Sequence, residues 1–200
     1  MSSRRAVLLG AAGVLLQPLA AQAGSQAEEA LADAVRTALS AAIASEAPPK
    51  LSFADADARL AFLRWQVEMS ERLKPHKTEA VTRIEFLETL WYEATRARLE
   101  PALVLALVQV ESGFRKYAIS SSGARGYMQV MPFWVRQIGD GDAARLFHLQ
   151  TNLRFGCVIM RHYLDLERGE LTLALGRYNG SRGRPEYPNA VLSSRKRWIV

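Results

Sequence analysis

The sequence predicts an all-α protein. Apolar residues recur at three- and four-residue steps over long windows, the period of a helix with one buried face. No alternation of apolar and polar residues lasts long enough for a strand, and no internal repeat is visible. Proline or glycine opens or closes the windows, at Pro48, Pro75, Pro101 and Gly113.

The 200 residues suit one domain with a helical extension. Hydrophobic residues at 49% and charged residues at 23% supply a real core, which excludes wholesale disorder. Lys and Arg number 26 against 20 Asp and Glu, a formal charge of +6 that favours polyanions: nucleic acid, anionic membrane or an acidic cell-wall polymer. The single cysteine, Cys157, excludes an intramolecular disulfide and a multi-cysteine zinc site. His76, His148 and His162 are scattered without metal-ligand spacing, so neither a metal nor a cofactor is expected.

Residues 1–23 read as a secretory signal peptide. Arg4 and Arg5 precede an apolar run from Ala6 to Leu16, Pro18 breaks it, and Ala21-Gln22-Ala23 is a cleavage pattern. The run is too short for a transmembrane anchor, which needs about 20 residues. No cysteine near the cleavage point offers a lipid anchor. The paired arginines suit the twin-arginine route as well as the general one, and the pattern does not separate them. Removal takes away two arginines and no acid. The expected location is periplasmic or secreted, which weighs against a nucleic-acid partner.

Residues 24–78 form the expected helical extension and 79–200 the main domain. Residues 26–45 are alanine-rich, favouring helix, and Ala47-Pro48-Pro49 ends it as a linker. Over 53–73, Leu60, Leu63, Val67 and Leu73 mark an apolar stripe, with Trp65 and Met69 nearby. From Glu79 to Leu99, Val81, Ile84, Leu87, Trp91 and Tyr92 mark another. Leu153, Cys157, Met160 and Leu164 give a third, on a helix starting near Thr151, where Cys157 reads as a small core residue.

The informative stretch is 101–131. Pro101 suits a first helical turn, and eight of the nine residues from Ala102 to Val110 are apolar, which marks a helix buried on all sides. Glu111 closes it, next to Ser112 and Gly113. Desolvation and the helix dipole both disfavour a carboxylate there, so both raise its pKa. Such a carboxyl carries a proton at neutral pH and can give it to a leaving group. The competing reading is an exposed helix-end residue, or a salt bridge to Arg115. Tyr117 to Gly126 is a loop of small residues that lets backbone approach a ligand closely. Gln129 follows among apolar neighbours, either as a sugar-binding amide or as a surface glutamine.

Glu111-Ser112-Gly113-Phe114, Ala118-Ile119-Ser120, Gly123-Ala124-Arg125-Gly126-Tyr127-Met128-Gln129-Val130-Met131-Pro132 and Arg177-Tyr178-Asn179-Gly180 stand in this order. They resemble the soluble lytic transglycosylase (SLT) domain, the lysozyme-like family that cleaves bacterial peptidoglycan. The likeness runs from about Arg83 to Trp198. It implies a lysozyme-like all-α catalytic domain in which Glu111 is the single catalytic acid and base. Ser120 and Gln129 match positions lining the site near the reacting sugar, and Met128 and Met131 fall in the motif packed beside the groove. Tyr178 and Asn179 match a Tyr-Asn pair whose tyrosine supports the glutamate, so Tyr178 is expected to hydrogen-bond Glu111. Asn152, in Thr151-Asn152-Leu153-Arg154-Phe155-Gly156, matches a mainly structural motif. Tyr127 stands where leucine is usual, and Gly180-Ser181 replace the commoner Ala-Gly.

Ordinary glycosidases use two carboxyls across the scissile bond. Asp140 and Asp142 look like a turn and a helix cap, Asp165, Glu167 and Glu170 like solvent-facing acids, and His162 like a surface histidine. One acid without a nucleophile suits substrate-assisted, non-hydrolytic cleavage between N-acetylmuramic acid and N-acetylglucosamine, leaving a 1,6-anhydro end. The rivals are a hydrolytic muramidase and a catalytically silent glycan-binding or assembly protein. Expected partners are peptidoglycan strands, together with cell-envelope or secretion-machine proteins. Phe114, Phe133 and Trp134 read equally as sugar platforms or as core. Arg177, Arg182, Arg184, Arg195, Lys196 and Arg197 form a basic tail, either attracting stem-peptide carboxylates or simply solvated.

Overall fold

The computed structural model describes residues 26, 28, 30–44 and 50–200. The leader expected at 1–23 and the linker expected at 47–49 lie outside them. Among the described residues the fold is all-helical, without a sheet. The helices are α1 (Asp33–Ala44), α2 (Ala56–Leu73), α3 (Ala80–Arg96), α4 (Pro101–Ser112), α5 (Pro132–Ile138), α6 (Leu149–Leu166), α7 (Leu171–Asn179) and α8 (Glu186–Arg195), with a short 3₁₀ helix at Ala143–Phe147. Two isolated bridges, Ile119 to Arg125 and Arg125 to Val130, pin the long α4–α5 loop.

Helix ends follow local chemistry. Asp55 caps α2 by accepting from Ala58 N at 2.7 Å. Pro101 and Pro132 occupy first-turn positions, where a missing N–H costs nothing. Gly113 ends α4 in the left-handed region, φ 58°. Asp142 accepts from Ala144 N at 2.9 Å, so the expected cap is present, opening a 3₁₀ helix.

α4 is the central helix, buried from Ala102 to Val108 and packed between α3 and α8. α6 lies against α3 and α7, and α1 against α5 and α6. One continuous apolar core runs from Leu39 of α1 to Trp198. Phe114, Phe133 and Trp134 belong to it, which decides their role as packing rather than sugar stacking. Cys157 is buried there, its thiol pKa pushed up by desolvation.

Two expected stripes are turned. On α2, Leu60, Leu63 and Val67 face outward, with Val67 66% exposed, while Phe62, Trp65, Met69 and Leu73 are buried. On α3, Val81 and Ile84 are exposed and Phe86, Leu87 and Leu90 are buried. The aromatic set Phe62, Trp65 and Trp91 decides the orientation: the two indoles meet at 4.6 Å and Phe62 stands edge-on to Trp91 at 5.1 Å. Large rings bury more area than aliphatic side chains and so win the inward face. The α6 stripe faces inward as expected.

Candidate active site

Glu111 is the penultimate residue of α4 and is 6% exposed. Its Oε1 accepts from the Tyr187 hydroxyl of α8 at 2.5 Å. Its Oε2 is buried without a protein partner. Burial pushes the carboxyl up from 4.5 to about 8, against the opposing pull of the Tyr187 bond. The group is therefore mostly protonated at neutral pH. Desolvation and the neighbouring Glu111 hold the Tyr187 phenol well above its usual value, so it remains a donor. With Oε1 accepting from tyrosine, the acid's own proton belongs on Oε2, the oxygen the protein leaves unengaged. The alternative of a salt bridge fails because Arg115 Nε donates to Ser112 O instead, at 2.9 Å.

The α4–α5 loop is anchored from below by α6. Asn152 Oδ1 accepts from Met128 N at 2.8 Å, and its Nδ2 donates to Arg125 O at 2.9 Å and Leu146 O at 2.8 Å. A side chain on Gly126 (φ 75°) would strike Asn152 and Leu146 O, so the loop's close approach requires glycine there. Tyr178 at the end of α7 donates its hydroxyl to Met128 O at 2.8 Å. Gln129 takes a left-handed backbone, φ 47°, and donates through Nε2 to Ala118 O at 3.1 Å and Gly126 O at 2.9 Å. A non-glycine residue held there costs about 1 kcal/mol, offset by these bonds to buried backbone.

The Transglycosylase SLT domain model matches residues 89–197, more than half of the chain. The chain belongs to the SLT transglycosylase family. Similar proteins include a transglycosylase of Enterobacteria phage PRD1, 29% identical over 118 residues, which cover 56% of this chain and 43% of that protein. Another is membrane-bound lytic murein transglycosylase C of Actinobacillus pleuropneumoniae serotype 5b (strain L20), 34% identical over 94 residues, covering 43% and 25%. The chain thus spans less than half the length of these curated relatives. A solved structure of an inactive mutant of the lytic transglycosylase Slt from Pseudomonas aeruginosa aligns with TM-score 0.45 and 22% identity, over 70% of this chain and 27% of that one.

Within this SLT domain the residues expected at the site have separate duties. Ser120 Oγ accepts from Ala124 N at 3.0 Å and closes the tip of the loop. Met131 is half-buried at the start of α5, and Asn179 is buried as the last residue of α7. Gln129 is buried rather than at the surface, and its Nε2 bonds to Ala118 O and Gly126 O stay within the loop. Asn152 is structural, as expected.

The expected bond from Tyr178 to Glu111 is corrected: Tyr178 reaches the Met128 carbonyl, and Tyr187 reaches the carboxyl. Sequence reasoning passed over Tyr187. Its signal was its place just after Pro185 and Glu186, at the start of a helix that packs on α4. Glu167 is also corrected. It is buried, not solvent-facing, and the Arg182 and Arg177 guanidiniums hold its carboxyl down to about 2. His162 is half-buried beside Tyr163, with ring centroids 5.4 Å apart, instead of lying free at the surface.

A cavity of about 530 Å³ between α1 and α6, lined by Ser40, Ile43, Gln150, Arg154 and Phe155 among others, includes none of these site residues. Among the described residues no cluster of three or more His, Cys, Asp or Glu is arranged to hold a metal.

Proposed function

We propose that this SLT domain is a peptidoglycan lytic transglycosylase with Glu111 as its one acid and base. The observation that carries the reading is the buried, protonated carboxyl whose Oε2 has no protein partner. In this reading Oε2–H donates its proton to the oxygen joining N-acetylmuramic acid to N-acetylglucosamine as the C1–O bond breaks. The carboxylate left behind is stabilised by the Tyr187 hydrogen bond. It then removes the proton from the C6 hydroxyl of the same sugar. That oxygen attacks C1 and closes a 1,6-anhydro ring, so the carboxyl is regenerated and no water is consumed. The substrate's acetamido carbonyl stabilises C1 in between.

Substrate assistance is supported by the surroundings of Glu111 among the described residues. Burial and the Tyr187 bond account for the Glu111 shift, with no carboxylate contributing. Asp140 pairs with Arg145, Asp165 with Arg161, and Glu167 with two arginines. Export by the leader at 1–23 would put the enzyme in the periplasm or outside the cell, where its polymer is.

The test is mass spectrometry of sacculi digested by the purified protein. Anhydro ends, one water lighter than reducing ends, are expected. Reducing ends alone would make the protein a hydrolytic muramidase. Glu111→Gln is expected to keep glycan binding and lose cleavage, and turnover retained in that variant rejects the assignment.

A further inference from the structure

α8 is secured unevenly, and Tyr187 sits at its less secured end. The far end is tied directly to α4 and to the residue before it: Ser194 Oγ donates to Gln109 Oε1 at 2.7 Å, and Arg195 Nε donates to Glu100 at 2.6 Å. The first turn has no side-chain cap, with Pro185 at the N-cap position. Pro185 and Glu186 are exposed, and Tyr187 follows them directly. An uncapped first turn leaves backbone donors without helical partners and opens more readily than the middle of a helix. The bond from Tyr187 to Glu111 therefore depends on what holds the chain just upstream.

That upstream chain is the connection from α7, residues 180–185. Its backbone rests on α7 at one place. Ser181 N donates to Gly176 O at 2.7 Å, and a Cβ on Gly176 would lie 2.9 Å from Arg182 Cα, so only glycine leaves room for this approach. The Arg182 side chain makes the second hold. Its Nε donates to Glu167 Oε1 at 2.7 Å and its Nη2 to Oε2 at 3.0 Å, a two-point grip on one carboxylate. Glu167 is buried at the C-cap of α6, and Arg177 in the last turn of α7 donates to the same Oε1. One carboxylate thus joins the end of α6, the end of α7 and the connection. Among the described residues, Arg182 is the one side chain of 180–185 with an ion pair.

We propose that Glu167 and Arg182 are positioning residues for the acid: by fixing the connection they keep the Tyr187 hydroxyl on Glu111. The proposal rests on the acid role given to Glu111 above. Both residues act through Tyr187, and neither bonds Glu111. Of the tyrosines around Glu111, Tyr178 is committed to Met128 O, so the Tyr187 bond is the one this grip controls. A loosened first turn spends more time with that bond broken, and the carboxylate of Glu111 loses its donor. Arg182 is half exposed, so its removal is mild for folding, and Arg177 remains beside Glu167 so that no buried charge is stranded.

The test titrates the Glu111 carboxyl by NMR in the full chain labelled with δ-¹³C glutamate, the signal being assigned by its absence from Glu111→Gln. No turnover is needed. Arg182→Met is expected to move the Glu111 midpoint upward by about half a pH unit, and Tyr187→Phe to move it further. Adding Arg182→Met to Tyr187→Phe is expected to move it no more, because the bond through which Arg182 acts is already gone. Arg182→Lys, which keeps the charge but grips at one point, is expected to fall between the parent and Arg182→Met. In cleavage assays the alkaline limb of kcat is expected to follow the midpoint, with kcat reduced about two- to tenfold and KM little changed. An unmoved midpoint with a lower melting temperature overturns the proposal, since it marks a merely structural pair. So does a downward move, the sign of water reaching the carboxyl, or an equal upward move in the Tyr187→Phe background. The expected midpoints in a protein that yields no cleavage product support the positioning role while sinking the transglycosylase reading.

Discussion

At Glu111 the energetics of folding oppose those of the acid role proposed for it. Its folded pKa of about 8 lies above the ordinary 4.5, so the unfolded chain gives up this proton more readily than the folded one. The stability tied to the protonated group is full below 4.5 and is lost as pH rises to about 8, at roughly 1.4 kcal/mol per pH unit. Glu111→Gln removes the titrating group. Its melting temperature is expected to exceed that of the parent by more at pH 8 than at pH 4. Cleavage by the parent is expected to fall above pH 8, as the acid form disappears. Tyr187→Phe deletes the bond that lowers the pKa, so the alkaline limb of kcat is expected to move upward. The same variant is expected to lose about ten- to a hundredfold in kcat, the worth of one hydrogen bond to a charged group. The raised acid was legible in the sequence because its causes are local: an apolar helix, a glycine stop and a carboxyl between them. Its partner was not, because Tyr187 is 76 residues away and meets it only through α4–α8 packing.

At the scale of elements, existence was easier to read than facing. Proline and glycine stops put α2 and α3 within a few residues of their observed ends. Each helix carries apolar residues on two faces, and spacing alone chose the aliphatic one. The choice depends on which face meets the aromatic cluster of Phe62, Trp65 and Trp91, a tertiary fact. The α4–α5 loop presented the reverse case. Its glycines and Asn152 were recognisable as a motif, and the structure supplies the reason, since one amide holds three backbone groups. Asn152→Ala would leave those groups buried and unpaired. It is expected to cost about 3 kcal/mol or more in a urea titration. Asn152→Asp keeps the acceptor and loses both donor bonds, and is expected to be little better.

For the whole molecule, α1 is fastened to the rest through an ion pair that composition could not reveal. Glu93 of α3 is buried and accepts from Arg154 Nε at 3.1 Å and Nη2 at 2.9 Å. Arg96 approaches the same carboxyl at 3.3 Å and also donates to Ala42 O, while Arg154 reaches Ile43 O at 3.4 Å. Three helices thus share one charge cluster. Arg154→Met would strand the Glu93 carboxylate in the interior. It is expected to lower the unfolding free energy by about 3–5 kcal/mol, read from the denaturant midpoint at neutral pH. Restoring neutrality with Glu93→Gln in the same chain is expected to recover part of that loss.

Gln109, two residues before the acid, accepts through Oε1 from both Ser194 Oγ at 2.7 Å and Trp198 Nε1 at 2.8 Å, and Arg72 grips the carbonyls of Arg197 and Ile199. The turns that follow α8 therefore act as a latch on the helix that holds Glu111. Losing the Trp198 indole would open that latch, and the change would register at Glu111 some 90 positions upstream.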